Sequence, residues 1–236
     1  MTKKHELRLQ RAGMVLNFTS KKQESSVGLA LKEVVAQLEE TFGLELAHSP
    51  DWNLTDVIKT LRADYPEVSF ASTGARSSMR PDGGFLSIRD LDGRSHSILI
   101  SEVKNQGTND LRAAEGLKRQ AQGNAIERLG KNVIGFRTRM LPEGIMPFVC
   151  FGYGCDFAEG SSILDRVVTI AMFGELNQIN VVPEGDAGQF NRGSYFFREA
   201  EWTVDEMVAI LSEVATRSIH YYFAKYGEKN LKRLTL

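Results

Sequence analysis

The sequence is poor in the features that mark secreted, membrane-bound and metal-finger proteins. It has only two cysteines, Cys150 and Cys155, in 236 residues. Both lie in the apolar run VCFGYGCDF, with no His or further Cys at ligand spacing, so buried free thiols are expected rather than a disulfide or a zinc site. No apolar run reaches the roughly 20 residues that a membrane helix needs. The opening MTKKHELRLQRAG is polar where a secretory signal would be apolar, and a cytoplasmic protein without a membrane partner is expected. Neither sign of charge dominates, with 29 Lys and Arg against 30 Asp and Glu. The overall basic balance of many nucleic-acid-binding domains is therefore missing. Internal repeats and low-complexity tracts are absent too, which argues against a solenoid or a disordered chain.

What is present is ordinary globular usage, 42% hydrophobic and 25% charged. It predicts one domain over residues 1–236, in which 1–23 lack periodicity and read as a polar arm. Charge is unevenly placed along it. Between Arg112 and Arg139 there are seven basic residues (Arg112, Lys118, Arg119, Arg128, Lys131, Arg137, Arg139) against Glu115 and Glu127, a net of +5. A solvated helix face explains this as well as a phosphate-binding surface does.

SVGLALKEVVAQLEETFGL spaces Leu29, Leu31, Val34, Val35, Leu38 and Phe42 as the core face of a helix. DWNLTDVIKTLRADYP predicts a short helix ending before Pro66, and EVSFAST a strand. FLSIRDL and SHSILISEVK alternate in period two and meet at Asp92-Gly93, which predicts an antiparallel hairpin. Thr108 caps a predicted helix from near Asn109 to Met140, interrupted around Gly116 and Gly123. PFVCFGYG reads as a strand, ILDRVVTIAMFGEL as a helix, and INVVP and GSYFFRE as strands. Thr203 and Glu206 form a capping-box signature for a last helix ending at Gly227. The mixed order predicts an α/β fold, a central sheet of about five strands flanked by helices.

One constellation carries chemistry. In a strand, Glu102 and Lys104 project from one face while Ser101 and Val103 point to the other. The hairpin lets Asp82, 20 residues earlier, return beside Glu102. Two carboxylates that close repel unless a cation lies between them, and an all-oxygen set suits Mg²⁺. A lysine beside such a metal helps to position and deprotonate water for attack on a phosphodiester. A surface hairpin bearing solubility residues fits the same three positions, so both readings stay open on them alone.

The surrounding motifs add a resemblance. SSMRPDGG at 77–84, SEVKNQG at 101–107 and GNAIERLGKN at 123–132 stand in the order found in the EcoRI family of type II restriction endonucleases, which this chain resembles from about Phe70 to Asn180. MLPEGIMPFVCFGYGCDF and SSILDRVVTI are similar to the family's following strand and helix. The resemblance implies a restriction-endonuclease-like fold and a homodimer that cuts double-stranded DNA at a palindrome with 5′ overhangs, alongside a cognate methyltransferase. It implies Asp82, Glu102 and Lys104 as catalytic residues, with Mg²⁺ held by Asp82, Glu102 and the Val103 carbonyl. Asn124, Ala125, Glu127 and Arg128 match residues that read, or brace readers of, an inner AATT. Ala121 matches a pyrimidine contact, and Gly123 and Lys131 are expected at the DNA as part of the same element. Asn pairs bidentately with adenine, and Arg offers several donors to purine edges.

There are two departures. The stretch between Gln106 and Gly123 is shorter than in the family. Arg166 fits the first of two family arginines, but Thr169 stands where the second reads the outer guanine, which implies an altered outer pair such as RAATTY. A repair nuclease with little sequence preference, or a DNA-binding protein without catalysis, are the competing classes.

Overall fold

The structure is a computed structural model. It describes residues 26–71, 74, 76–105, 112, 115–118, 124–159, 161–171, 175–181, 188 and 190–234. The arm 1–23, the Thr108 cap, Ala121 and Gly123 lie outside the described residues.

Five strands form the central sheet: β1 (Leu46–Ser49), β4 (Gly84–Arg89), β5 (Ser95–Asn105), β6 (Phe148–Tyr153) and β7 (Ser194–Arg198), in the order β1-β4-β5-β6-β7. β1, β4 and β5 run antiparallel, whereas β5, β6 and β7 run parallel. The sheet is therefore mixed, and β5 is the strand at which the direction changes. A small pair, β2 (Trp52–Asn53) with β3 (Ser78–Met79), stands apart. The hairpin turn forms where Asp92-Gly93 places it: Gly93 has φ 84°, and Asp90 N donates to Arg94 O at 3.0 Å.

Helices cover both faces. Register fixes Phe85, Ile100, Glu102 and Phe148 on one face of the sheet. That face is covered by α3 (Asn124–Met140), whose Phe136 packs on Phe85 and Phe148, and α3 in turn packs on α4 (Ser162–Ala171). The other face carries α1 (26–42) and α5 (Val204–Tyr226). These two helices touch through Phe42 with His220 and Phe223. α2 (Leu54–Asp64) is capped by Asn53, and α5 by the expected Thr203/Glu206 capping box, each cap satisfying amides that the first turn leaves without partners.

Some sequence expectations are corrected. Leu29 is 53% exposed, because the buried stripe of α1 runs through Val27, Ala30, Leu31, Val34 and Leu38. Residues 67–71 of EVSFAST form turn and coil, and Ile179–Val181 of INVVP are not a strand; Val181 O accepts one isolated bond from Met146 N at 3.1 Å. The helix expected from Asn109 is, among the described residues, α3 from Asn124, with Glu115–Lys118 in turn and coil. Both cysteines are free and buried. No helix among the described residues is long and apolar enough to cross a membrane.

Candidate active site

β4 ends its pairing with β5 at Gly84 opposite Ser101. Glu102, Val103 and Lys104 therefore run past β4, paired with β6 on one side and open on the other. Asp82 closes the open side. Its Oδ2 accepts from Val103 N at 3.0 Å, in place of the carbonyl that a longer β4 would supply, and its own N donates to Glu102 Oε2 at 3.3 Å.

The two glycines after Asp82 make this approach possible. Gly83 lies so close to β5 that a Cβ there would stand 2.0 Å from Ser101 Oγ. Gly84 has φ 73°, and its Cβ would meet Ser49 O at 2.6 Å. The loop is held from the far side by His48 on β1, whose Nε2 donates to Gly83 O at 2.9 Å.

Lys104 sits on the same oxygens. Its Nζ donates to Asp82 Oδ2 and to Val103 O, each at 3.2 Å, and makes a close ion pair with Glu102 Oε1. Helix α3 adds Asn132, whose Nδ2 donates to Glu102 Oε1 at 3.3 Å. Glu102 is 1% exposed, and burial pushes its carboxyl above the usual carboxylate range, against the pull of Lys104 and with a push from the Asp82 charge. Burial works the other way on Lys104, but Glu102 and Asp82 outweigh it and hold the ammonium above the ordinary lysine range. In this arrangement the two acids favour the charged form of Lys104.

The Lys104 ammonium is a stand-in ion: it lies against Asp82 Oδ2, Glu102 Oε1 and Val103 O, which belong to the two acids and the carbonyl that the resemblance implied for Mg²⁺. Two carboxylates and a carbonyl are hard oxygen donors, the kind that a divalent cation such as Mg²⁺ takes. No group of three or more His, Cys, Asp or Glu side chains with metal-binding geometry occurs among the described residues, so a metal here would draw on this pair, the carbonyl and water.

Asn124 and Ala125 are the first residues of α3. Glu127, Arg128 and Lys131 are exposed on that helix, and Arg166 and Thr169 are exposed on α4. Thr169 Oγ1 donates to Asp165 O at 2.9 Å within its own helix. Sequence reasoning missed Asn132 and His48. Asn132 was within reach, since it closes GNAIERLGKN four residues after Arg128.

A family model for restriction endonuclease EcoRI matches residues 10–163. The type II restriction enzyme RsrI of Cereibacter sphaeroides is 28% identical over 241 aligned residues, covering 87% of this chain and 86% of RsrI. The type II restriction enzyme EcoRI of Escherichia coli is 29% identical over 179 residues, covering 72% of this chain and 62% of EcoRI. The family match begins well before Phe70, where the motif resemblance became clear, and ends three residues before Arg166. A match over that much of the chain, on a mixed sheet whose Glu102 is bonded to the helix that begins within GNAIER, makes the protein a nuclease of the EcoRI restriction endonuclease family, with the restriction-endonuclease-like fold.

Proposed function

We propose that the protein is a Mg²⁺-dependent type II restriction endonuclease that hydrolyses duplex DNA at a palindrome with an AATT core, as a homodimer, leaving 5′ overhangs. The observation that carries this reading is the convergence of Asp82, Glu102, the Val103 carbonyl and Lys104 on one point, with α3 directly against it. Asp82, Glu102 and Val103 O would hold the Mg²⁺. Bound there, the metal supplies Lewis-acid stabilisation of charge at the phosphate and lowers the pKa of water. Lys104 supplies a donor beside the reacting phosphate, in a site dry enough for that charge to count. Its loss to alanine or methionine would leave two facing carboxylates and no donor.

Glu127, Arg128 and Lys131 on α3, with Arg166 on α4, are proposed to contact DNA, along with Asn124, Ala125, Ala121 and Gly123. Thr169 supports an altered outer base pair, because its hydroxyl is bonded to its own helix and offers no bidentate fork to guanine. The homodimer follows from the family, and the face proposed for it carries Ile134 on α3 and Val168 on α4, 69% and 46% exposed. Residues 1–236 are proposed to act as one nuclease domain in the cytoplasm, protected by a partner methyltransferase.

The test is incubation of the purified protein with Mg²⁺ and DNA of known sequence, beside Glu102→Ala, with the fragment ends sequenced. Discrete cuts at AATT, missing in the variant, are expected. Scattered cuts would favour a nuclease of low specificity, and binding without cleavage would favour a DNA-binding protein. Cutting at GAATTC alone would refute the inference from Thr169.

A further inference from the structure

Helix α3 reaches the carboxylate pair through Asn132, whose Nδ2 donates to Glu102 Oε1 at 3.3 Å. Glu102 is 1% exposed, so its orientation is set by protein partners rather than by water. Oε2 is held by the Asp82 main chain, and Oε1 is shared between Asn132 and Lys104. Lys104 divides its ammonium between this oxygen, Asp82 and the Val103 carbonyl, whereas the Asn132 amide is directed at Glu102. The chemical type matters as well. An amide donates without charge, so it steadies the carboxylate and leaves its negative charge available to a cation. A lysine or arginine there would neutralise that charge, and an aspartate would repel it. Asn132 also lies four residues after Arg128, so the two stand one turn apart on the same side of the helix.

We propose that Asn132 is a positioning residue that fixes the Glu102 carboxylate to helix α3, and so sets the metal-holding oxygens at a defined place relative to the side chains that meet DNA. This rests on the nuclease reading above. Residues that orient metal ligands commonly matter almost as much as the ligands themselves.

The experiment compares wild type, Asn132→Ala, Asn132→Gln and Glu102→Ala as full-length proteins. Three quantities are measured: Mn²⁺ affinity of the DNA-free protein by electron paramagnetic resonance, the Mg²⁺ concentration giving half-maximal single-turnover cleavage, and duplex affinity in EDTA. Asn132→Ala is expected to weaken Mn²⁺ binding and raise the Mg²⁺ requirement about 10- to 100-fold. Duplex affinity should stay within about threefold, because the Asn132 amide is bonded to Glu102 and the proposed DNA contacts are made by other side chains of the helix. Asn132→Gln keeps the donor and should recover part of the loss; thermal melts establish that each variant is folded. Unchanged Mn²⁺ affinity and Mg²⁺ requirement in Asn132→Ala would overturn the proposal. So would a fall in duplex affinity that accounts for all the lost cleavage, since Asn132 would then be a DNA contact. If wild type does not cut, or Glu102→Ala cuts equally well, the nuclease reading fails instead, and the Mn²⁺ titration still judges Asn132 by itself.

Discussion

Adding a single methyl group at Gly83 should slow the site while leaving the fold standing. A Cβ there would lie 2.0 Å from Ser101 Oγ, 3.1 Å from Ser101 Cβ and 2.9 Å from Leu31 Cδ1. Turning the Ser101 hydroxyl and the Leu31 methyl aside relieves two of these, but Ser101 Cβ cannot turn and stays inside the ordinary contact distance of about 3.5 to 4 Å. The loop must therefore retreat by about 0.5 Å, and Asp82, the residue before it, moves too. A misplacement of about 1 Å costs catalysis about 100-fold, so one of this size should cost about tenfold, whereas overpacking of this kind costs stability about 1 to 3 kcal/mol. Single-turnover cleavage by Gly83→Ala, at saturating DNA and Mg²⁺ and with the folded fraction measured by circular dichroism, reads the first number apart from the second. The double variant Gly83→Ala/Ser101→Gly removes both serine atoms from the clash and should recover most of the lost rate. Cleavage by Gly83→Ala within about threefold of wild type would refute the argument that Asp82 acts only from this close seat.

Lys104→Ala strips the cation from a carboxylate that is 1% exposed, so stability in EDTA should fall by about 3 to 5 kcal/mol and return in part with Mg²⁺, while cleavage stays abolished. Denaturant titrations with and without Mg²⁺ check this, and equal stability in EDTA would contradict it. Burial pushes the Glu143 carboxyl up, but His96, Arg94 and Lys225 together draw it below the ordinary glutamate range. Its contribution is therefore present above that range and is lost as pH falls through the lowered value. Glu143→Gln should be about 1 to 3 kcal/mol less stable near neutrality, with a gap that closes in acid. A gap constant across pH would count against this assignment. Ile134→Glu places a charge on the proposed dimer face and should shift sedimentation from dimer to monomer. An unaltered dimer would place the interface elsewhere.

The sheet and the site were legible to different depths. SHSILISEVK could be read because alternation and an Asp-Gly turn specify a register, and register alone puts Glu102 and Lys104 on one face. The capping box at Thr203 fixed the start of α5 in the same local way. β1 escaped notice: four residues at a sheet edge carry little alternation, and their pairing with β4 is decided by tertiary contact. Residues 67–71 of EVSFAST failed in the opposite sense, having strand-forming residues without a neighbouring strand, among the described residues, to complete a ladder. Leu29 shows that counting apolar residues in a helix is weaker than following the stripe. Asn132 stood in view at the end of GNAIERLGKN, but its partner did not, because nothing in its neighbours says that a residue 30 positions after Glu102 comes back to touch it.

The early end of β4 has an architectural consequence. A strand with an antiparallel neighbour on one side and a parallel neighbour on the other can be left half uncovered simply by shortening the first. The gap must be capped, because a bare strand edge invites pairing with foreign chains. Here the cap is an acid, so the device that seals the sheet and the device that gathers negative charge are the same few atoms. Replacing Asp82 would thus do more than remove a proposed metal-holding acid: it would reopen a seam, and the variant would be the stickier protein.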